Sequence, residues 1–190
     1  MTSPNNGMPP QLQQLYNWLR DELALVHIKW SEFCLLYDDN QEIIDNLNKI
    51  APAFFGEHQR MAWQDLFLHL CRITDRPVIS GHDTLTVRRL RDAIPDQALR
   101  QVVENLIEDA GRKTELLRDW RNNRFAHLKL PTVDAAPLPP VSHADVEDAL
   151  VSLREILNQI DRHYTGTTVL YAESIEPLGG VGALRKRLKR

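Results

Sequence analysis

At 190 residues and a formal charge of −3, the chain is long enough for one well-packed domain and too acidic overall to be a polycation throughout. Apolar residues make up 43% and charged residues 26%, as in an ordinary globular chain, and no apolar run approaches the roughly 20 residues of a membrane helix. Cys34 and Cys71 lie far apart inside apolar segments, which argues against a disulfide framework and a structural zinc site. The polar, proline-containing start MTSPNNGMPPQ lacks the basic and apolar stretches of a secretory signal. These features lead us to expect a cytoplasmic protein with no cofactor, no metal and no membrane attachment.

Residues 1–10 read as a disordered lead-in. From Gln11, Leu12, Leu15, Tyr16, Leu19, Leu23, Val26, Trp30, Phe33 and Cys34 recur at steps of three and four, which predicts one long helix over about 10–37. Asp38-Asp39-Asn40 breaks it, and Asp39 with Glu42 can form a capping box for a second helix carrying Ile43, Ile44, Leu47 and Ile50. Residues 53–73 predict a third helix, apolar on more than one face and therefore deeply buried. A loop with Pro77 and Gly81 leads to a short helix over 85–94, with Thr84 as its cap. Pro95-Asp96 restarts the chain as a long helix reaching about Leu128. A proline-rich link over 131–141 follows. Ser142 and Asp145 then cap a last main helix whose stripe runs from Val146 to Ile160. A weak alternation at 167–171 is the only hint of a strand. Each amphipathic helix must bury its stripe against another, so the predicted fold is all-α. It is an antiparallel bundle of four principal helices, with a short extra helix and a mobile, basic C-terminal tail. The predicted organisation is a lead-in over 1–10, a helical domain over 11–165 and an extension over 166–190.

The segment Asp119-Trp120-Arg121-Asn122-Asn123-Arg124-Phe125-Ala126-His127-Leu128 concentrates the chemistry. Between Gly111 and Lys129 six basic residues face two acidic ones, a local excess that can attract a phosphate backbone although the whole chain is acidic. Cations in the last turns of a helix also offset its dipole, and a histidine there can bond the final carbonyls. Similar Arg…His spacings occur at Arg20…His27 and Arg76…His82, but the first lies in an ordinary amphipathic helix and the second is interrupted by Pro77. Only the third has an amide directly after the arginine and an Ala-His end before a proline-rich link.

Arg121-Asn122 followed by Phe125-Ala126-His127 resembles the motif of the HEPN superfamily. The block Ala51-Pro52-Ala53-Phe54-Phe55-Gly56, the apolar helix ending in Arg72-Ile73-Thr74-Asp75 and the Leu-Pro-rich link to Val141-Ser142 resemble its abortive-infection, AbiU-like branch. The resemblance covers about residues 12–165. It implies a metal-independent endoribonuclease of a prokaryotic defence or toxin–antitoxin system, usually a homodimer with its motifs facing across the interface. In that reading His127 is the general base or acid, Arg121 stabilises charge on the phosphoryl oxygens, and Asn122 orients the base or the phosphate. Arg118, Arg124 and Lys129 are the candidate RNA contacts. The alternative is a non-catalytic HEPN module that binds RNA, a nucleotide or a nucleotidyltransferase-type partner, such as an antitoxin.

A six-residue step turns about 600° on an ideal helix, which leaves Arg121 and His127 about 120° apart. A long arginine can wrap, or the helix can loosen before Pro131, and a dimer-built site is favoured. Arg124 is the rival for the arginine role. Elsewhere, His69 and Cys71 read as core packing, and so does the aromatic set Trp30, Phe33, Phe54, Phe55, Trp63 and Phe67, rather than as a base-stacking platform. Gly179-Gly180-Val181-Gly182 lacks the Gly-Lys-Ser/Thr ending of a phosphate loop. Arg185-Lys186-Arg187-Leu188-Lys189-Arg190 is either a solvated tail or an arm for nucleic acid or an acidic partner; Leu184 and Leu188 would allow a short amphipathic helix there.

Overall fold

The computed structural model describes residues 7–37, 41–125, 138–171 and 179–188. Four long elements form the bundle: α1 (Pro10–Tyr37), α3 (Pro52–Thr74), α5 (Gln97–Lys113) and α7 (His143–Tyr164). Between them lie α2 (Gln41–Ile50), α4 (Arg88–Ala93) and α6 (Glu115–Trp120), and α8 (Val181–Leu188) comes last. The Asp38–Asn40 break and its cap lie outside the described residues. The 75–84 loop holds a two-residue hairpin, β1 (Val78–Ile79) against antiparallel β2 (His82–Asp83), with Ser80 and Gly81 turning at positive φ.

The stripe read from α1 is the buried one: Leu12, Leu19, Leu23 and Val26 are closed to solvent and Trp30 and Phe33 nearly so. It meets Leu66, Phe67, Leu70 and Ile73 of α3 and Leu150, Leu153 and Leu157 of α7 in one core. Ser142 and Asp145 make the reciprocal cap of α7, and Asp96 accepts the Leu99 N–H at 2.7 Å to start α5. Gly111 leaves room for the Arg88 guanidinium, whose Nη2 would lie 3.2 Å from a Cβ there.

Several expectations are corrected. Thr84 does not cap α4; its hydroxyl donates to Arg76 O at 2.6 Å, closing the hairpin loop, and α4 starts at Arg88 without a side-chain cap. The deep burial expected of the third helix holds for its second half only, since Phe54 is 61% and Met61 49% exposed. The helix from Asp96 does not run unbroken to Leu128 but bends at Thr114, whose buried hydroxyl donates back to Ala110 O. Residues 167–171 form no strand. Asn158 stands in for a strand neighbour, accepting the Val169 N–H at 2.9 Å and donating to Val169 O. The basic tail is a docked helix through Leu188. Val181, Leu184 and Leu188 pack against Leu36, Ile43 and Leu47, and Asn46 Nδ2 donates to Leu188 O at 2.9 Å.

Tyr171 is buried and stacks on His27 with ring centroids 5.7 Å apart. Burial, assisted by the nearby Arg154 charge, depresses the His27 pKa to about 4, and its Nε2 has no hydrogen-bond partner among the described residues. In the unfolded chain this group titrates near 6.5. The unfolded state therefore gains a proton first as pH falls. Stability should be full above about pH 6.5 and decline by up to about 3 kcal/mol toward pH 4. In His27→Phe this component of the loss should vanish, read as a flatter dependence of the urea midpoint on pH; parallel curves for the two proteins would refute it.

Candidate active site around Asp75 and the π turn

The chain beyond α6 does not continue as an α-helix. Arg121–Phe125 forms a π-helical turn, in which the backbone bonds reach one residue further and side chains are re-aimed relative to the preceding helix. Such insertions concentrate at functional sites. Phe125 anchors the turn, its ring 5.6 Å from Phe67 and 6.1 Å from Trp120, while the Trp120 indole N–H donates to Pro139 O at 2.7 Å. Asn123 Nδ2 donates to Asp119 O at 2.7 Å, tying the turn back to α6.

A carboxylate from the end of α3 faces this turn. Asp75 is 9% exposed. Its Oδ2 accepts from Arg121 Nη1 at 2.6 Å and its Oδ1 from Arg118 Nε at 3.2 Å. Arg118 Nη2 also donates to Thr74 Oγ1 at 2.8 Å, and the Thr74 and Thr114 hydroxyls lie 3.1 Å apart. The bend at Thr114, the end of α3 and the π turn are thereby joined in one polar network. Two guanidiniums share a single carboxylate, so the cluster keeps a net positive charge.

The predicted residues fall into three groups. Arg121, whose side chain is only 16% exposed, is held by Asp75 and by Asn122, whose Oδ1 accepts from Arg121 Nε at 3.0 Å. Its Nη2 makes no hydrogen bond among the described residues, and the side chain lines a groove of about 340 Å³ with Met61, Gln64, Asp65, Leu68 and Phe125. Arg118 is engaged with Asp75 and Thr74, whereas Arg124 is exposed and has no partner among the described residues. His127 and Lys129 lie outside the described residues. Asn122 contacts the Arg121 guanidinium.

Asp75 is the residue that the sequence reading missed. Its signal was available: an excess of basic residues over 111–129 needs a counter-charge, and Asp75 closes a helix whose last two turns are largely apolar.

The cysteines behave as core or near-core groups; burial pushes the Cys71 thiol up to about 11. His69 is buried, with its ring nitrogens near Glu22, Asp65 and Lys29. Among the described residues no group of three His, Cys, Asp or Glu could hold a metal ion, and no helix is long and apolar enough to cross a membrane.

A helical bundle that carries an arginine-amide pair in the π turn after α6 agrees with the HEPN resemblance read from the sequence. The AbiU2 family of HEPN proteins matches the chain over residues 10–179, and the chain belongs to that family. No curated protein and no solved structure matches it.

Proposed function

We propose that this protein is a metal-independent endoribonuclease acting in prokaryotic defence, either in abortive infection or as the toxin of a toxin–antitoxin pair. One observation carries the reading. Arg121 is locked by Asp75 and Asn122 with one guanidinium nitrogen left over, at the wall of an open groove. A preorganised cation of this kind stabilises charge developing on phosphoryl oxygens without reorganising during the reaction. In this reading the second partner is His127, six residues on, at the end of the motif that resembles the HEPN one.

In the proposed reaction the ribose 2′-oxygen attacks the adjacent phosphorus while His127 takes its proton, and the bond to the 5′-oxygen breaks. A second proton donor, which a facing copy of the motif in a homodimer would provide, returns a proton to the leaving oxygen. Imidazole suits either role near neutral pH. Arg124 contacts the backbone. The test is RNA cleavage with and without EDTA, in wild type and His127→Ala. EDTA-resistant cleavage lost in the variant is expected; cleavage that survives in His127→Ala contradicts the proposal.

The docked α8 changes how its basic residues should be tested, because truncation would also remove Leu188 from its apolar contact. Replacing exposed Arg124, Lys186 and Arg187 by Gln keeps the packing. If each meets a phosphate, the slope of log K against log salt should shrink by about 0.7 per residue. An unchanged slope would mark them as solvated surface.

A further inference from the structure

A cavity of about 580 Å³ lies between α1, α3 and the start of α8. It shares Met61 and Asp65 with the Arg121 groove, so the two form one trough along α3. Two of its residues stand apart from the rest of the molecule. Phe54 was read as core, yet it is 61% exposed, with Phe55 packed against it edge to face at 5.1 Å and His58 stacked on one face at 6.3 Å, so that only its other face is free for a ligand. Glu32 is a half-buried carboxylate that makes no hydrogen bond or ion pair among the described residues, whereas its neighbours Lys29 and Asp65 satisfy each other. An exposed aromatic ring and an unpaired acceptor lining one cavity are suited to a flat, apolar ligand that carries an N–H donor.

We propose that this cavity is a nucleobase subsite for the single-stranded RNA that the enzyme cuts, with the base stacked on Phe54 and its exocyclic amino group donating to Glu32. This rests on the ribonuclease reading above and adds to it a preference among bases. Basic groups mark the two ends of the path, with the Lys29–Asp65 pair and Glu32 between them. The trough has Arg121 at one end and α8, with exposed Lys186 and Arg187, at the other. A polyanion can lie between them while its bases turn toward the apolar floor. From Phe54 to Leu68 α3 rises about 20 Å, room for about six stacked nucleotides. The subsite is therefore a few nucleotides from the scissile phosphate. A carboxylate only accepts hydrogen bonds. Adenine, cytosine and guanine offer it an amino group; uracil sets carbonyl oxygens beside its one N–H.

The test measures binding of short oligo-A, oligo-C and oligo-U RNA to the non-cleaving His127→Ala protein, by fluorescence anisotropy, with and without Phe54→Ala or Glu32→Gln. Wild type is assayed for cleavage in parallel. Phe54→Ala should weaken binding of all three by about 5- to 100-fold. Glu32→Gln should keep most of the affinity but bring the preference for oligo-A and oligo-C over oligo-U close to one. Phe54 is exposed and Glu32 half-buried, and unchanged circular dichroism checks the fold of both variants. Unaltered affinity and base preference in both variants overturn the subsite, and wild type that still cuts RNA then leaves the ribonuclease reading standing. Wild type that neither cuts nor binds RNA overturns both. Should Phe54→Ala instead split a dimer in sedimentation with RNA affinity intact, the trough is a contact between copies and the proposal falls.

Discussion

Asp75→Ala is expected to destabilise the protein by about 3 kcal/mol, the usual result of deleting one partner of a buried ion pair. Asp75 is nearly closed to solvent, and Arg118 and Arg121 are each held against it with side chains 25% and 16% exposed. Removing the carboxylate leaves two adjacent guanidiniums repelling each other with no counter-charge. It also frees the π turn from the end of α3. Asp75→Asn should lose less, since one amide oxygen can still accept from one arginine. Urea midpoints of the three proteins measure this. A loss under about 1 kcal/mol would place the cluster with exposed ion pairs, which contribute little.

The largest effect on activity is expected at Arg121 and His127. Each substitution by Ala should lower the cleavage rate by about 10²–10⁴, through loss of charge stabilisation in one case and of proton transfer in the other. The double variant should be little worse than either single one, because both groups act in one transition state. Arg121→Lys should not rescue. A lysine ammonium cannot hold Asp75, Asn122 and a phosphate in the planar arrangement that the guanidinium provides. Arg121 is also part of the Asp75 network, so its substitution has a folding component that sequence alone did not suggest. Rates must therefore be compared at equal folded fraction, checked by circular dichroism. Full activity in Arg121→Ala at equal folded fraction would move the arginine role to Arg124.

The helical layout was legible because its signals are local. Leu12 through Phe33 recur at helical steps, Ser142 and Asp145 sit three apart, and Asp96 marks a helix start. The bend at Thr114 was not legible, since it depends on a hydroxyl meeting Thr74 from another helix 40 positions away. The same holds for Thr84, whose better partner was a hairpin carbonyl, and for Phe54, whose exposure depends on which face of α3 its neighbours leave open. Within the site, Arg121 and Asn122 stood out by composition and motif, but their anchoring to Asp75 spans 46 positions and no periodicity reports it. The sequence left two ways to bring Arg121 toward His127, a wrapped arginine or a helix loosened before Pro131; the chain is π-helical at 121–125.

The central claim is that RNA is cut by attack of its own 2′-oxygen, with no metal-activated water. The most direct measurement is the chemistry of the new RNA ends formed in the presence of EDTA, read by mass spectrometry. A 2′,3′-cyclic phosphate and a 5′-hydroxyl are the predicted termini. A 3′-hydroxyl with a 5′-phosphate would contradict the account.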